Sequence, residues 1–133
     1  MSISTDPVAT RAAPPDNRLM LLEVRDLKVE FNIRGGIVKA VDGLTFDIRQ
    51  GQTVGIIGES GCGKSVTARA ILRMVPKPGK ITNGEILFYR HAKAGHHFTG
   101  ESQVVDMTKS GPDSDMVRRI RGGEIAMIFQ EPM

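Results

Sequence analysis

The chain has 133 residues, 40% of them apolar and 25% charged, with a net charge of +3, which is the length and composition of one small globular domain. Its longest apolar runs are five or six residues, far short of the ~20 that a membrane-crossing helix needs, and its start has neither the basic segment nor the apolar core of a signal peptide. One cysteine rules out an intramolecular disulfide and the small positive charge is too weak to argue for nucleic-acid binding, so a cytosolic setting is expected.

Residues 1–18 are rich in Ser, Thr, Ala, Pro and Asp without any period, which predicts a disordered leader ahead of a domain over residues 19–133. Alternation at Leu22 and Val24 slips at Arg25-Asp26 and resumes at Leu27, Val29 and Phe31, the pattern of a strand with a bulge. A turn over Asn32 to Gly36 leads to a second strand, Val38 to Ile48, which shows Leu44, Phe46 and Ile48 on one face. These two strands are expected to form an antiparallel hairpin. After a turn at Arg49-Gln50-Gly51-Gln52, the run Thr53 to Ile57 has the β-branched, uninterrupted apolar character of a parallel strand buried on both faces.

That strand would feed Gly58-Glu59-Ser60-Gly61-Cys62-Gly63-Lys64-Ser65, a full match to the phosphate-binding loop pattern. Glycine lets the backbone fold into a cup of inward N–H groups, and the helix that follows adds the positive end of its dipole. Such a cup suits a nucleoside triphosphate. Lys64 would place an ammonium between the β- and γ-phosphates, and the Ser65 hydroxyl would be one ligand of a Mg²⁺ bridging them. The bland alternative is a glycine-rich turn that merely links a strand to a helix. Cys62 reads as a filler of a variable loop position, since no histidine lies near it in sequence to activate a nucleophile.

Val66, Ala70, Ile71, Met74 and Val75 recur at helical spacing, with Thr67, Arg69 and Arg73 on the opposite face, until Pro76 and Pro78. Gly84 to Tyr89 predicts a strand pairing with the hairpin layer. Residues 90–111 are polar, lack either period and carry His91, His96 and His97; a solvated surface insertion is expected, with a metal site at the histidines as the alternative. Asp113 or Ser114 caps a predicted helix through Arg121, stopped by Gly122-Gly123, with Arg118, Arg119 and Arg121 read as a solvated face. Ile125 to Phe129 reads as another doubly buried strand, ending in Gln130.

Hairpin strands, this phosphate loop and an apolar strand ending in Gln130 together resemble the nucleotide-binding subunit of ABC transporters. The wording Lys-Ser-Val-Thr at 64–67, and Arg-Ile-Arg-Gly followed by Ile-Ala-Met-Ile-Phe-Gln-Glu-Pro-Met between 119 and 133, is similar to the subfamily that energises bacterial uptake of dipeptides, oligopeptides, glutathione or nickel. The resemblance covers residues 20–133 apart from the insertion. It implies an α/β P-loop NTPase fold, here the N-terminal part of an ABC-type nucleotide-binding domain with an antiparallel β subdomain, binding ATP and Mg²⁺.

By the same resemblance Gln130 would be the glutamine that reaches Mg²⁺ and the attacking water, and Phe31 falls where an aromatic stacks on adenine, with core packing as the alternative. Val66 stands where many members carry a threonine hydroxyl near the α-phosphate, and Thr67 lies one residue on. The signature motif, the carboxylates of the second nucleotide motif and the switch histidine, which the family places after this glutamine, have no counterpart in the 133 residues. The implied partners are transporter membrane subunits, a second ATPase domain and, indirectly, a periplasmic solute-binding protein, with no nucleic acid; the implied location is the cytoplasmic face of the bacterial inner membrane. A P-loop kinase, a soluble ABC ATPase without a membrane partner and a nucleotide-binding module without turnover are the rival readings.

Overall fold

The computed structural model describes residues 17–58 and 63–129. Four strands, β1 (Met20–Ile33), β2 (Gly36–Arg49), β3 (Gly79–Ala94) and β4 (His97–Asp106), form one antiparallel sheet in the order β2-β1-β3-β4. Helix α1 (Gly63–Ile71) lies between β2 and β3 in sequence, and α2 (Asp115–Ile120) follows β4. The core gathers the inward residues of the sheet, among them Val24, Leu27, Val29, Leu44 and Ile86, with Val66 and Ala70 of α1 and Val117 and Ile120 of α2. Fully burying each large aliphatic side chain is worth roughly 1.5–3 kcal/mol, so both helices are held to the sheet chiefly by these few residues.

The slip expected in β1 is a bulge centred on Asp26, where the register shifts between Val24 and Leu27 against β2 and Asp26 takes φ 45°. Both neighbouring strands make room for it. The Asp26 N–H donates to Thr45 Oγ1 at 2.9 Å on one side, and Asn83 Nδ2 donates to Asp26 Oδ2 at 2.8 Å on the other. Gly84, at φ 100°, passes so close that a Cβ there would lie 2.5 Å from the Asp26 carbonyl oxygen and 2.6 Å from that of Arg25. A glycine is therefore required by space and by backbone conformation together.

Several expectations are corrected. Helix α1 ends at Ile71, not at the prolines: Arg73 turns left-handed at φ 56°, with its N–H bonded to the Ala70 carbonyl at 3.0 Å and the Met74 N–H to that of Arg69 at 2.7 Å. These bonds satisfy the last carbonyls of the helix before Pro76 is reached. Thr67 is buried rather than on the outer face, its hydroxyl donating to the Gly63 carbonyl at 2.7 Å. Residues 90–111, expected to lack regular structure, extend β3 to Ala94 and return as β4. From His91 to Val104 the described side chains are exposed or half-buried, so no apolar period marks this part, and Val105 and Met107 then reach the core.

Neither Thr53–Ile57 nor Ile125–Phe129 is a strand buried on both faces. Val54, Ile56 and Ile125 pack against the core, while Ile57 is 66% and Ile128 97% exposed. Each segment runs beside the core on one face, and among the described residues the one parallel pairing is an isolated bridge between Ile125 and Arg121. By contrast α2 agrees with its expected bounds: Ser114 is the N-cap, its hydroxyl accepting from the Val117 N–H at 3.3 Å, and the helix stops before Gly122. The leader expected over residues 1–18 lies, through residue 16, outside the described residues.

Candidate functional site

The site is built on the start of α1. Val66 and Ala70 anchor one face of this helix in the core, which leaves Lys64 and Ser65 exposed at its first turn. The first N–H groups of a helix have no partner within it, and the dipole makes that end positive. No acidic residue stands in the first turn of α1 to offset this. The Lys64 ammonium curls back to donate to the Gly58 carbonyl at 3.1 Å, spanning the two ends of the glycine-rich loop. The start of a helix and an exposed ammonium thus meet at one place, a donor set suited to a polyphosphate.

Val66, expected near the α-phosphate, is 5% exposed and faces the core, so only its backbone is available to a ligand. Thr67 does not replace the missing hydroxyl, because its own is buried and bonded to Gly63. Phe31, near the end of β1, is half-buried and pairs with Gly79 of β3; a Cβ at Gly79 would fall 2.6 Å from the Phe31 ring, so the ring rests directly on that backbone. Glu59, Ser60, Gly61, Cys62 and Gln130 lie outside the described residues.

The far end of α1 is tied down by a residue that sequence reading placed in solvent. Arg121 donates from Nε to the Leu72 carbonyl at 3.1 Å and from Nη2 to those of Arg73 at 3.4 Å and Pro112 at 3.0 Å. A guanidinium at a helix C-terminus meets the negative end of the dipole as well as its orphan carbonyls. Arg73 Nε in turn donates to the Ser110 carbonyl at 3.2 Å. Along the helix, the Arg69 guanidinium carbon stands 5.4 Å from the centroid of the Phe129 ring. An arginine at the right distance from a carbonyl or a ring carries no periodic signal, and so neither contact shows in the sequence.

Farther out, a groove of about 840 Å³ runs along β3 and β4, with Arg90, His91, Phe98 and Glu124 in its walls and no residue of the phosphate loop. Arg90 binds the Glu124 carboxylate through Nε at 3.0 Å and Nη2 at 2.7 Å, and His91 donates from Nε2 to the Met20 carbonyl at 2.6 Å. The bond to Glu124 holds the Arg90 pKa above the ordinary guanidinium value. Among the described residues no three His, Cys, Asp or Glu side chains converge on a metal position.

Residues 41–133 match the protein family described as ABC transporter. The chain belongs to the ABC transporter family. Its sheet is the antiparallel β subdomain of the family's nucleotide-binding domain, a P-loop NTPase fold, and α1 is the helix that follows the phosphate loop. Among curated proteins it is 42% identical over 114 residues to the oligopeptide transport ATP-binding protein OppD of Bacillus subtilis (strain 168), covering 85% of this chain and 27% of that protein. It is also 42% identical over 114 residues to the dipeptide transport ATP-binding protein DppD of the same organism, covering 85% and 29%. With the glutathione import ATP-binding protein GsiA of Pectobacterium atrosepticum it shares 41% over 120 residues, 90% of this chain and 17% of that one. The chain thus spans between 17% and 29% of the length of these ABC relatives. No described helix is long and apolar enough to cross a membrane.

Proposed function

We propose that this chain binds Mg²⁺-ATP through Gly58 to Val66 and serves a protein that hydrolyses ATP to energise import of peptides or related small solutes across the bacterial inner membrane. The observation that carries the reading is the exposed Lys64 ammonium at the electropositive start of α1, held within reach of the loop by Gly58. The relatives add direction, since those reported above are named as ATP-binding proteins of oligopeptide transport, dipeptide transport and glutathione import.

Mg²⁺, held by Ser65 and Gln130, would neutralise phosphate charge while the γ-phosphoryl group of ATP is transferred to water. Lys64 exchanges its bond to Gly58 for phosphate oxygens, and the loop amides of Glu59 to Ser65 hold the rest of the chain of phosphates. Ser65 offers its hydroxyl to the cation, and Gln130 offers an amide oxygen to the cation or to the water. Phe31 presents the open part of its ring to adenine. Turnover calls also for carboxylates that the residues named here do not supply, so their share of the reaction is to hold the nucleotide. In its setting the subunit lies on the cytoplasmic face of the membrane with transporter membrane subunits, a second ATPase domain and, through them, a periplasmic solute-binding protein.

The test is Lys64→Ala introduced into the gene in its own cell, followed by uptake of labelled di- and tripeptides and glutathione. Loss of uptake of one of these classes with normal protein abundance is the expected result. Undiminished uptake of all of them contradicts the transport reading.

A further inference from the structure

The sequence contains three asparagines, Asn17, Asn32 and Asn83, and only Asn83 is followed by glycine. An asparagine loses its side-chain amide when the backbone nitrogen of the next residue closes on its Cγ, and glycine, having no Cβ, hinders that closure least. Asn83 is exposed to water on β3, and the ladder to β1 is broken beside it. The register passes from Lys28 opposite Asn83 to Arg25 opposite Glu85, and Gly84 between them has no partner. The peptide bond that must react therefore lies in a gap of the sheet. One neighbour holds the reaction back: Asn83 Nδ2, the nitrogen that has to leave, donates to Asp26 Oδ2 at 2.8 Å and to the Asp26 carbonyl at 3.3 Å, so the bulge engages both of its hydrogens.

We propose that Asn83 is a site of spontaneous deamidation timed by Asp26, which holds the departing amide in the folded chain and is repelled by the carboxylate that replaces it. When this clasp opens, the Gly84 nitrogen attacks Asn83 Cγ. The new N–Cγ bond forms, the Cγ–Nδ2 bond breaks, and ammonia leaves with the proton of the Gly84 amide, giving a cyclic imide. Water then opens the ring at either carbonyl and leaves an aspartate, or an isoaspartate whose main chain runs through Cγ. No electron is gained or lost.

Either product ends the clasp. The aspartate sets a second negative charge where Nδ2 stood, 2.8 Å from Asp26 Oδ2, and two carboxylates that close cannot both stay ionised without cost. The isoaspartate adds a methylene to the main chain beside Gly84, where a Cβ would already lie 2.5 Å from the Asp26 carbonyl oxygen. In both cases β1 and β3, the central pair of the sheet, lose their tie at the bulge.

The test is incubation of the chain in mildly alkaline buffer, with and without guanidinium chloride, with conversion at each asparagine followed by peptide mass mapping and isoaspartate detected by enzymatic methylation. Conversion is expected at Asn83 ahead of Asn17 and Asn32, and more slowly in the folded chain than in denaturant. It should be about tenfold faster in Asp26→Gly, which accepts the left-handed backbone of residue 26 at φ 45° but offers no carboxylate; that factor is what a hydrogen bond to a charged group contributes. A second reading does not depend on that variant. Asn83→Asp, the aspartate product made directly, should lower the urea midpoint further than Asn83→Ser, and adding Asp26→Asn, which again sets one amide against one carboxylate, should recover most of the loss. Conversion chiefly at another asparagine overturns the site. Equal rates in the parent chain and in Asp26→Gly, or in the folded chain and in denaturant, overturn the clasp. An Asn83→Asp chain as stable as Asn83→Ser, or one that Asp26→Asn does not rescue, overturns the repulsion.

Discussion

The guanidinium of Arg121 lies just past the C-terminal end of α1 and donates to the Leu72 carbonyl at 3.1 Å, so the turn that ends the helix is held by a side chain 49 residues away in sequence. Leu72 itself is buried, at 3% exposure, and its carbonyl has few other places to go. Removing the guanidinium leaves that group and the Pro112 carbonyl without their donor. Arg121→Ala is expected to cost about 2 kcal/mol of stability, seen as a lower urea midpoint at unchanged slope, whereas Arg118→Ala on the exposed face of α2 should move it by less than about 0.5 kcal/mol. Equal effects of the two would refute this role for Arg121.

Gly84→Ala puts a methyl group against the Asp26 and Arg25 carbonyls at a backbone conformation that alanine resists. The inner strand pair β1–β3 has to open to admit it. A loss of about 2–3 kcal/mol is expected, measured by the same urea titration; a loss under about 0.5 kcal/mol would mean that the bulge yields without strain.

Glu23 reports on the sheet through pH. Burial pushes its carboxyl up, but the Tyr89 hydroxyl donating at 2.8 Å, the bond from Arg25 at 2.6 Å and the nearby charges of Arg25 and Arg49 outweigh that, and its pKa is net lowered from the ordinary 4.5. Because the folded value lies below the unfolded one, this stabilisation is present above about pH 4.5 and is lost as pH falls through the folded value. Its worth is modest in a partly solvated pair, under about 1 kcal/mol. Glu23→Gln should lower stability at pH 7 by that amount and leave stability near pH 3 almost unchanged, as followed by thermal melting across the range. A constant offset at both pH values would mean that the charge of Glu23 contributes nothing.

Ile57 and Ile128 present large apolar side chains to water on two segments with no ladder partner among the described residues. Unpaired backbone beside exposed apolar surface invites association. The isolated 133-residue chain is expected to self-associate at micromolar concentration, and the double variant Ile57→Lys with Ile128→Lys to move it toward monomer in light scattering. A wild-type chain that stays monomeric at high concentration would show these surfaces to be harmless.

Periodicity made the hairpin legible in detail, down to the bulge, because a two-residue repeat that skips one position has one physical explanation in a half-buried strand. Ser114 and Gly122 marked both ends of α2 for a similarly local reason, the chemistry of caps. The apolar runs 53–57 and 125–129 misled because composition alone does not say whether a second layer lies on the outer face. Residues 90–111 concealed a hairpin because its described side chains from His91 to Val104 are exposed or half-buried, which erases the alternation that reveals a strand. At the site, spacing alone set Gly58 to Ser65 apart as a candidate phosphate loop, and the structure adds the bond from Lys64 to the Gly58 carbonyl, while residues 59–62 lie outside the described residues. Arg121 and Arg69 were not legible, because their partners are a carbonyl and a ring brought close only by the fold.

The most direct test of the account is calorimetric titration of Mg²⁺-ATP into the folded chain and into Lys64→Ala. Removing a charge-assisted contact to phosphate costs about 1.5–3 kcal/mol, a weakening of at least tenfold, so the account predicts saturable, magnesium-dependent binding that the variant largely loses. Equal affinity of the two chains, or no heat from either while circular dichroism shows the sheet intact, contradicts it.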